Sequence, residues 1–190
     1  MNKPYIVGIA GGSASGKTTL SKQLEEALSD CKLLVLHMDR YFKPDSERPK
    51  APAPITGITY MDDNHPDSFY LEKFKADLAE AEESGAYQVI LIEGLLTLWE
   101  QEICDKLDLR LFIECRSDER IVRRLRRNMQ WGLTFDEIAN VYLDMVRYRH
   151  DEFVEPSKWR ADLILNGSNP SQTALQMIID QIRGHVSDLR

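Results

Sequence analysis

Short apolar runs alternate with segments of helical periodicity along the whole chain. The runs are rich in β-branched residues and cover residues 5–10, 33–38, 89–93, 109–115 and 162–165. Apolar side chains at helical spacing predict helices over residues 18–29, 68–84, 117–129, 134–152 and 170–189. This alternation is typical of a parallel sheet with helices on both faces. We therefore predict a three-layer α/β fold.

The predicted strands are continuous apolar runs, as expected for parallel strands that are covered above and below. Ligands bind to such sheets at the carboxyl ends of the strands. Polar residues that directly follow an apolar run are therefore the first candidates for a functional site. The helix predicted over residues 170–189 has an apolar stripe that suits either the core or a homo-oligomer interface.

One long segment interrupts the alternation. Residues 43–66 read KPDSERPKAPAPITGITYMDDNHP, a sequence rich in proline and too polar for a core. An irregular loop of this length is usually functional or disordered. We predict that residues 40–67 form a substrate loop, with a solvent-exposed spacer as the alternative. The length of 190 residues and the absence of repeats predict one domain over residues 1–190.

Charge and cysteine content narrow the class of partner. The formal net charge of −7 argues against nucleic acid, because nucleic-acid-binding surfaces need clustered basic residues. A small molecule is the expected partner. Cys31, Cys104 and Cys115 have neither disulfide nor metal-ligand spacing, so we interpret them as core thiols in a reducing cytoplasm. No run has the length of a membrane span or the pattern of a signal peptide, so we expect no membrane association.

The segment after the first predicted strand matches G-x-x-x-x-G-K-[ST], from Gly11 to Thr18. It lies between a strand and a helix, the context in which this pattern marks a phosphate-binding loop. Glycines let backbone N–H groups surround an anion, and the helix adds the positive end of its dipole. We expect Lys17 to reach the β- and γ-phosphates of ATP and the Thr18 hydroxyl to bind Mg²⁺. The expected phosphate-binding positions are Gly11, Gly12, Ser13, Ala14, Ser15, Gly16, Lys17, Thr18 and Thr19.

Two acidic residues stand at predicted strand ends. Asp39 follows the second run, where a carboxylate could accept a proton from an attacking hydroxyl. A helix cap or turn is the alternative role for Asp39. Glu93 ends the third run and is placed to hold Mg²⁺ through water, with an exposed strand-end glutamate as the alternative.

The sequence RIVRRLRRN places five arginines on one predicted helix of an acidic protein. Arginines at helical spacing can close over phosphates, stabilise charge in a transition state and exclude water. We predict a lid over residues 117–133 in which one or two arginines do this, while the others pair with acids such as Asp118 and Glu119.

A phosphate-binding loop is shared by GTPases, ATP-driven machines and small-molecule kinases. The chain has no N-K-x-D guanine motif and is too short for a second lobe that would turn hydrolysis into motion. A kinase therefore remains, with a nucleotide-binding regulator as the alternative.

These motifs together resemble the uridine kinase-like branch of P-loop kinases, which includes phosphoribulokinase, pantothenate kinase and nicotinamide riboside kinase. NHPDSF at residues 64–69, LIEGLLTL at 91–98 and EFVEPSKWRADLIL at 152–165 are similar to uridine kinase motifs. DRYFKPDSE at residues 39–47 resembles nicotinamide riboside kinases instead. The resemblance implies a P-loop NTPase fold with an arginine-rich lid, and transfer of the γ-phosphoryl group of ATP·Mg²⁺ to a metabolite hydroxyl.

The resemblance also implies roles for individual residues. Asp39 would be the catalytic base, Glu93 the Mg²⁺-associated acid, and Arg124 and Arg127 the lid arginines. The implied acceptor-binding residues are His65, Asn64, and Tyr41 or Phe42. Asp62 or Asp63 could replace the aspartate that uridine kinases carry at the position of Asn64.

Two positions depart from the uridine kinase pattern. Asn64 stands where uridine kinases carry an aspartate that holds the ribose hydroxyls, and Leu133 stands where they carry an arginine that recognises uracil. A ribonucleoside remains the leading acceptor. Nicotinamide riboside, pantothenate and a sugar phosphate are alternatives, and Arg147 or Arg149 could anchor the last of these.

Overall fold

A computed structural model describes residues 3–188. Its main sheet contains five strands in the order β2-β5-β1-β6-β7, and every neighbouring pair is parallel. A separate antiparallel hairpin consists of β3 and β4. The strands are β1 (Tyr5–Gly11), β2 (Leu33–His37), β3 (Lys50–Pro52), β4 (Thr59–Met61), β5 (Val89–Glu93), β6 (Leu109–Glu114) and β7 (Leu163–Asn166).

Helices follow most strands. They are α1 (Lys17–Ala27), α2 (Leu71–Glu83), α3 (Gln101–Cys104), α4 (Ser117–Met129), α5 (Phe135–Val141), α6 (Arg147–Arg149) and α7 (Gln172–Asp188). Short 3₁₀ helices cover Met38–Tyr41, Pro66–Ser68 and Glu155–Arg160. The π-helical turn Tyr142–Val146 joins α5 to α6, and a second π-helical turn, His150–Val154, continues α6, so the chain is helical from Phe135 to Val154.

The strands bury opposite faces in two separate cores. Along β1, Ile6 and Ala10 pack with α2, while Val7 and Ile9 pack with α1 and α7. This division confirms the predicted three-layer α/β architecture with a parallel sheet. The apolar stripe of α7, including Ile178 and Ile182, belongs to the second core, which is one of the two uses that the sequence allowed for it.

The structure corrects one prediction and extends another. The segment expected to be irregular between residues 43 and 66 contains the β3–β4 hairpin, which strand periodicity did not reveal because the two strands have three residues each. The helix expected over residues 134–152 begins with a capping box between Thr134 and Glu137 and remains helical through Val154. Residue 189, the predicted end of the last helix, lies outside the described residues.

Parallel pairing brings the strand ends to one edge of the sheet. His37 is in register with Glu93, and Glu93 is in register with Ile9, two residues before the end of β1. The last residue of β1, Gly11, is beside Ile113.

None of the helices within residues 3–188 is long and apolar enough to cross a membrane. Cys104 and Cys115 are buried, and Cys31 is half-buried.

Candidate active site

The loop between β1 and α1 has the backbone geometry of an anion-binding cradle. Gly11, Ala14 and Gly16 have φ values of 144°, 63° and 112°, which turn successive N–H groups inward. A Cβ at Gly11 would lie 2.5 Å from the Ile113 carbonyl oxygen, so the close approach of β1 to β6 requires glycine there. Because α1 begins at Lys17, its first N–H groups lack intrahelical partners and carry the positive end of the helix dipole. The loop can therefore bind phosphate groups.

Lys17 lies between the cradle and two carboxylates. Its Nζ donates a hydrogen bond to the Gly12 carbonyl oxygen at 3.1 Å. Burial lowers the pKa of Lys17, and the negative charges of Glu93 and Asp39 oppose that shift. The ammonium group is therefore close to both acids that the sequence singled out.

Glu93 is held by donors from two other elements. The Thr18 hydroxyl donates to its carboxylate, with distances of 3.3 and 3.4 Å to the two oxygens. His37 Nδ1 lies 2.9 Å from Glu93 Oε1. Glu93 is only 5% exposed, which excludes the exposed strand-end alternative. The Thr18 hydroxyl and the Glu93 carboxylate are hard oxygen donors, and this donor set fits Mg²⁺, which takes one or two protein groups together with phosphates and water.

Asp39 lies in the first turn of the 3₁₀ helix that directly follows β2, and the N-cap of that turn is His37. Burial raises the pKa of Asp39, Lys17 opposes the shift, and Glu93 adds to it. A carboxylate with a raised pKa is a stronger base than an ordinary aspartate. The location and environment of Asp39 therefore fit proton abstraction.

The arginines of α4 point in different directions. Arg124 and Arg127 both donate to the Ser13 hydroxyl of the phosphate loop, at 3.1 and 3.4 Å. Arg123 pairs with Glu119 at 3.1 Å, as the sequence analysis expected for some members of the helix. Arg120 is buried beside His150, 3.4 Å from its Nδ1. Two of the arginines are thus placed to contact bound phosphates.

A cavity of about 1180 Å³ connects these groups. One part is lined by the phosphate loop, from Ser13 to Leu20, and by the lid residues Arg124 and Arg127. Another part is lined by Asp39, Phe42, Asp63, Asn64, Phe69 and Glu93. A nucleotide and a second small molecule can therefore share one cavity.

Comparison with known proteins agrees with this geometry. The model of the phosphoribulokinase/uridine kinase family matches residues 68–174. A uridine kinase of Bacillus cereus (strain AH187) is 31% identical over 204 aligned positions, which cover 95% of this chain and 94% of that protein. A uridine kinase of Bacillus thuringiensis (strain Al Hakam) is 30% identical with the same coverage. The chain belongs to the phosphoribulokinase/uridine kinase family.

Solved structures share the fold of this family member. A possible uridine kinase from Bacillus stearothermophilus superimposes with a TM-score of 0.60 and 19% identity, covering 86% of this chain and 89% of that chain. Shikimate kinase from Bacteroides thetaiotaomicron gives a TM-score of 0.56 at 16% identity, with 96% and 98% coverage. Family and fold together identify a P-loop small-molecule kinase, a phosphotransferase.

The part of the cavity that Asp39 and Asn64 line also has an aromatic wall. The Phe42 and Phe69 rings stack with their centroids 4.2 Å apart. The Arg48 guanidinium lies 4.7 Å from the centre of the Phe42 ring and donates to Asp63 at 3.0 Å. The stacked rings suit a flat or ring-shaped acceptor.

Not every residue predicted to bind the acceptor faces this cavity. Tyr41 donates through its hydroxyl to Asp77 at 2.7 Å, and burial together with this bond raises the pKa of Tyr41 to about 12. Of the pair Tyr41 and Phe42, only Phe42 is among the lining residues. His65 packs edge-on against Phe153 and accepts a bond from the Asp67 N–H at 3.1 Å, outside the lining.

The hairpin is fastened to the helical stretch that follows the lid. Thr56 and Tyr60 both donate to Asp144 Oδ2, at 3.0 and 2.8 Å. At the base of the hairpin, Asp62 is 1% exposed and pairs with Arg149 Nε at 2.6 Å. Side-chain bonds therefore hold the hairpin against the helical stretch, while residues 54–59 at its tip are exposed.

Sequence reasoning missed several residues of the site. Asn166, the last residue of β7, and Gly167, which follows it, line the cavity. The available signal was a polar residue directly after the apolar run that ends at residue 165. His37 is the last residue of β2, and a polar residue near the end of the apolar run at residues 33–38 was the signal there. Arg48 had no signal of its own, because its contacts with Phe42 and Asp63 depend on how the loop folds.

Proposed function

We propose that this family member transfers the γ-phosphoryl group of ATP to a hydroxyl of an uncharged or cationic ribonucleoside. One observation carries the proposal: Asp39 lines the same cavity as Lys17 and as the stacked pair Phe42 and Phe69. A base, a phosphate-binding lysine and an aromatic acceptor wall are thereby brought together. The Bacillus relatives named uridine kinase support a nucleoside acceptor.

The proposed mechanism is positioning combined with charge neutralisation. Backbone N–H groups of the phosphate loop and the Lys17 ammonium hold the β- and γ-phosphates of ATP. Thr18 and Glu93 would hold Mg²⁺, which supplies neutralisation of the phosphate charge when bound. Asp39 accepts the proton of the attacking hydroxyl, and Arg124 and Arg127 close over the phosphates and exclude competing water.

The charges around the acceptor side argue against a sugar phosphate. The guanidinium of Arg149, a candidate anchor, is paired with Asp62 and Glu152. The other candidate, Arg147, is exposed and donates to the Tyr148 hydroxyl at 2.8 Å. Arg48 is paired with Asp45 and Asp63. At Arg149 or Arg48, a phosphate group on the acceptor would therefore have to break an existing ion pair, which a nucleoside does not require, and Arg147 is not among the residues that line the cavity.

Asn64 and Leu133, the two departures from the uridine kinase pattern, both line the cavity. The Asn64 amide can hydrogen-bond a ribose diol, though without the strength of a charge-assisted bond. Leu133 offers no donor to a pyrimidine carbonyl. Because of these two residues, the proposal does not name the nucleobase of the acceptor. Nicotinamide riboside is therefore tested beside uridine and cytidine.

The test is ADP release with ATP and Mg²⁺ against uridine, cytidine, nicotinamide riboside, pantothenate, glycerate and ribulose 5-phosphate. We expect one ribonucleoside to accelerate ADP release. Asp39→Asn should lower kcat by about a hundredfold or more, because it removes the base, and should keep the affinity for ATP. Asp105→Asn, at an exposed position after α3, is the matched control and should behave as the wild type.

Two outcomes would contradict the proposal. Turnover with only the sugar phosphate or the acids would move the acceptor to another class. Slow ATP loss that no acceptor accelerates would favour a nucleotide-binding regulator. We further propose a cytoplasmic location, since the buried thiols of Cys104 and Cys115 suit a reducing compartment.

A further inference from the structure

His37 is the least expected polar residue at the strand ends. It is the last residue of β2 and stands in register with Glu93, the last residue of β5. Its Nδ1 lies 2.9 Å from Glu93 Oε1, and its side chain is 22% exposed.

The contact has a defined direction. An ionised carboxylate has no proton and can only accept hydrogen bonds, so the His37 Nδ1 must carry the hydrogen. Glu93 Oε1 then receives bonds from two sides, from the His37 ring on β2 and from the Thr18 hydroxyl on α1. With both donors present, the carboxylate of this buried side chain is fixed in one orientation.

The origin of this geometry is the sheet itself. Parallel pairing of β2 with β5 sets residues in register side by side, and neighbouring strands lie about 4.8 Å apart. An imidazole at the end of one strand can therefore reach a carboxylate at the end of the next without a loop movement. The backbone positions of both partners are determined before any ligand binds.

We propose that His37 is a positioning residue that orients the Glu93 carboxylate toward the Mg²⁺ of the bound nucleotide. The inference rests on the proposed function, in which Glu93 holds that ion. Groups that hydrogen-bond to a metal-associated carboxylate typically contribute ten- to a hundredfold to metal affinity or activity. His37 acts through Glu93 and has no contact with substrate in this assignment.

The test measures nucleotide affinity rather than turnover, so it needs no knowledge of the acceptor. Calorimetry gives the affinity for a non-hydrolysable ATP analogue with saturating Mg²⁺ and with EDTA. The wild type should bind more tightly with Mg²⁺. His37→Leu, which has no ring N–H, should bind the analogue in EDTA as tightly as the wild type does. The increase in affinity on adding Mg²⁺ should be about tenfold smaller than in the wild type.

His37→Asn is the matched variant, because its Nδ2 is attached to Cγ as the histidine Nδ1 is and can donate the same bond. It should retain most of the gain from Mg²⁺. His37→Phe keeps a ring at this position but has no N–H donor. Thermal unfolding checks that each variant folds, and the phenylalanine variant replaces the leucine variant if the latter does not. A role of His37 in packing alone would not separate the asparagine variant from the phenylalanine variant.

The outcomes distinguish this inference from the proposed function. A wild type that binds the analogue equally with and without Mg²⁺ would remove the metal assignment of Glu93 and the role of His37 with it. A wild type that shows the gain, together with an undiminished gain in His37→Leu, would overturn the role of His37 alone. An asparagine variant that loses as much as the leucine variant would also overturn it.

Discussion

At the scale of single residues, the buried charges of Lys17, Asp39 and Glu93 affect one another's pKa values. Lys17 and Asp39 each shift the pKa of the other toward its charged form, while burial acts against both charges. Glu93 supports the charge on Lys17 and opposes the charge on Asp39. Burial and Glu93 therefore raise the pKa of Asp39, while Lys17 limits that rise.

The raised pKa of Asp39 has a consequence for the pH dependence of the reaction. Because only the deprotonated carboxylate can accept a proton, kcat/KM should fall as the pH decreases through the pKa of Asp39. That pKa lies above the ordinary value of 3.8, chiefly because of burial. We expect the acid limb of the profile to be centred above pH 3.8, and to be absent from the residual activity of Asp39→Asn. An identical acid limb in the variant would assign the titration to another group.

At the scale of elements, the β3–β4 hairpin is bonded to the helical stretch Phe135–Val154, and Asp63 and Asn64, which follow the hairpin in the chain, line the cavity. Asp144 lies in the π-helical turn between α5 and α6 and accepts bonds from Thr56 and Tyr60. The π-helical turn displaces side chains relative to a regular helix, a feature that is frequent at functional sites. The hairpin is thereby held by a carboxylate on a neighbouring element.

Removing this carboxylate should loosen the acceptor side only. Asp144→Ala leaves the hydroxyls of Thr56 and Tyr60 without their acceptor, and each such bond contributes about 1 kcal/mol. Once the acceptor has been found, we expect its KM to rise about five- to tenfold, with little change in the KM for ATP. Asp151→Ala, at an exposed position on the same stretch, is the control. Equal changes in both KM values would show a general loss of structure instead.

At the scale of the whole molecule, a buried polar cluster joins the lid to the rest of the protein. Arg120 of α4 donates to the Cys115 carbonyl oxygen at 3.1 Å and lies beside His150. His150 is in turn 3.3 Å from Glu155. Burial lowers the pKa of His150 to about 4, and the positive charge of Arg120 adds to the shift. His150 is therefore neutral in the folded protein at pH 7.

This shift predicts how stability depends on pH. Between pH 6.5 and about 4 the unfolded chain binds a proton at His150 that the folded protein does not, so the free energy of unfolding should fall as the pH decreases. The full loss is on the order of 3 kcal/mol. Denaturant unfolding of the wild type and of His150→Gln across this range measures it, and the variant should show a shallower decrease. Equal slopes would mean that another group is responsible, since Arg120, Glu155 and Lys17 also act on His150.

Much of the site could be predicted because its residues are adjacent in sequence to strand ends. Asp39 and Glu93 directly follow or end apolar runs, and parallel pairing brings all such ends to one edge of the sheet. The phosphate loop was predictable for the same reason, since its spacing is read along one continuous segment. Arg124 and Arg127 lie in the segment predicted to be a lid, residues 117–133, and both contact Ser13 of the phosphate loop.

The acceptor side was predicted less fully. Tyr41 and Phe42 could not be separated by sequence, because the direction of each ring depends on a 3₁₀ turn that places Phe42 at the cavity and Tyr41 against Asp77. The hairpin escaped detection because its strands are too short for a periodic pattern. The pairing of Arg149 with Asp62 joins residues 87 positions apart, and no local pattern carries that information.

The sequence by itself determined the α/β class, the parallel sheet, the phosphate loop and the acids at the strand ends. These features depend on periodicity and on residues that are close in the chain, so local physical preferences are enough to predict them. Only the tertiary structure decided which guanidinium groups are already paired, which aromatic rings face the cavity and which donor orients Glu93. Those contacts join distant segments, and their geometry exists only once the sheet has brought the segments together.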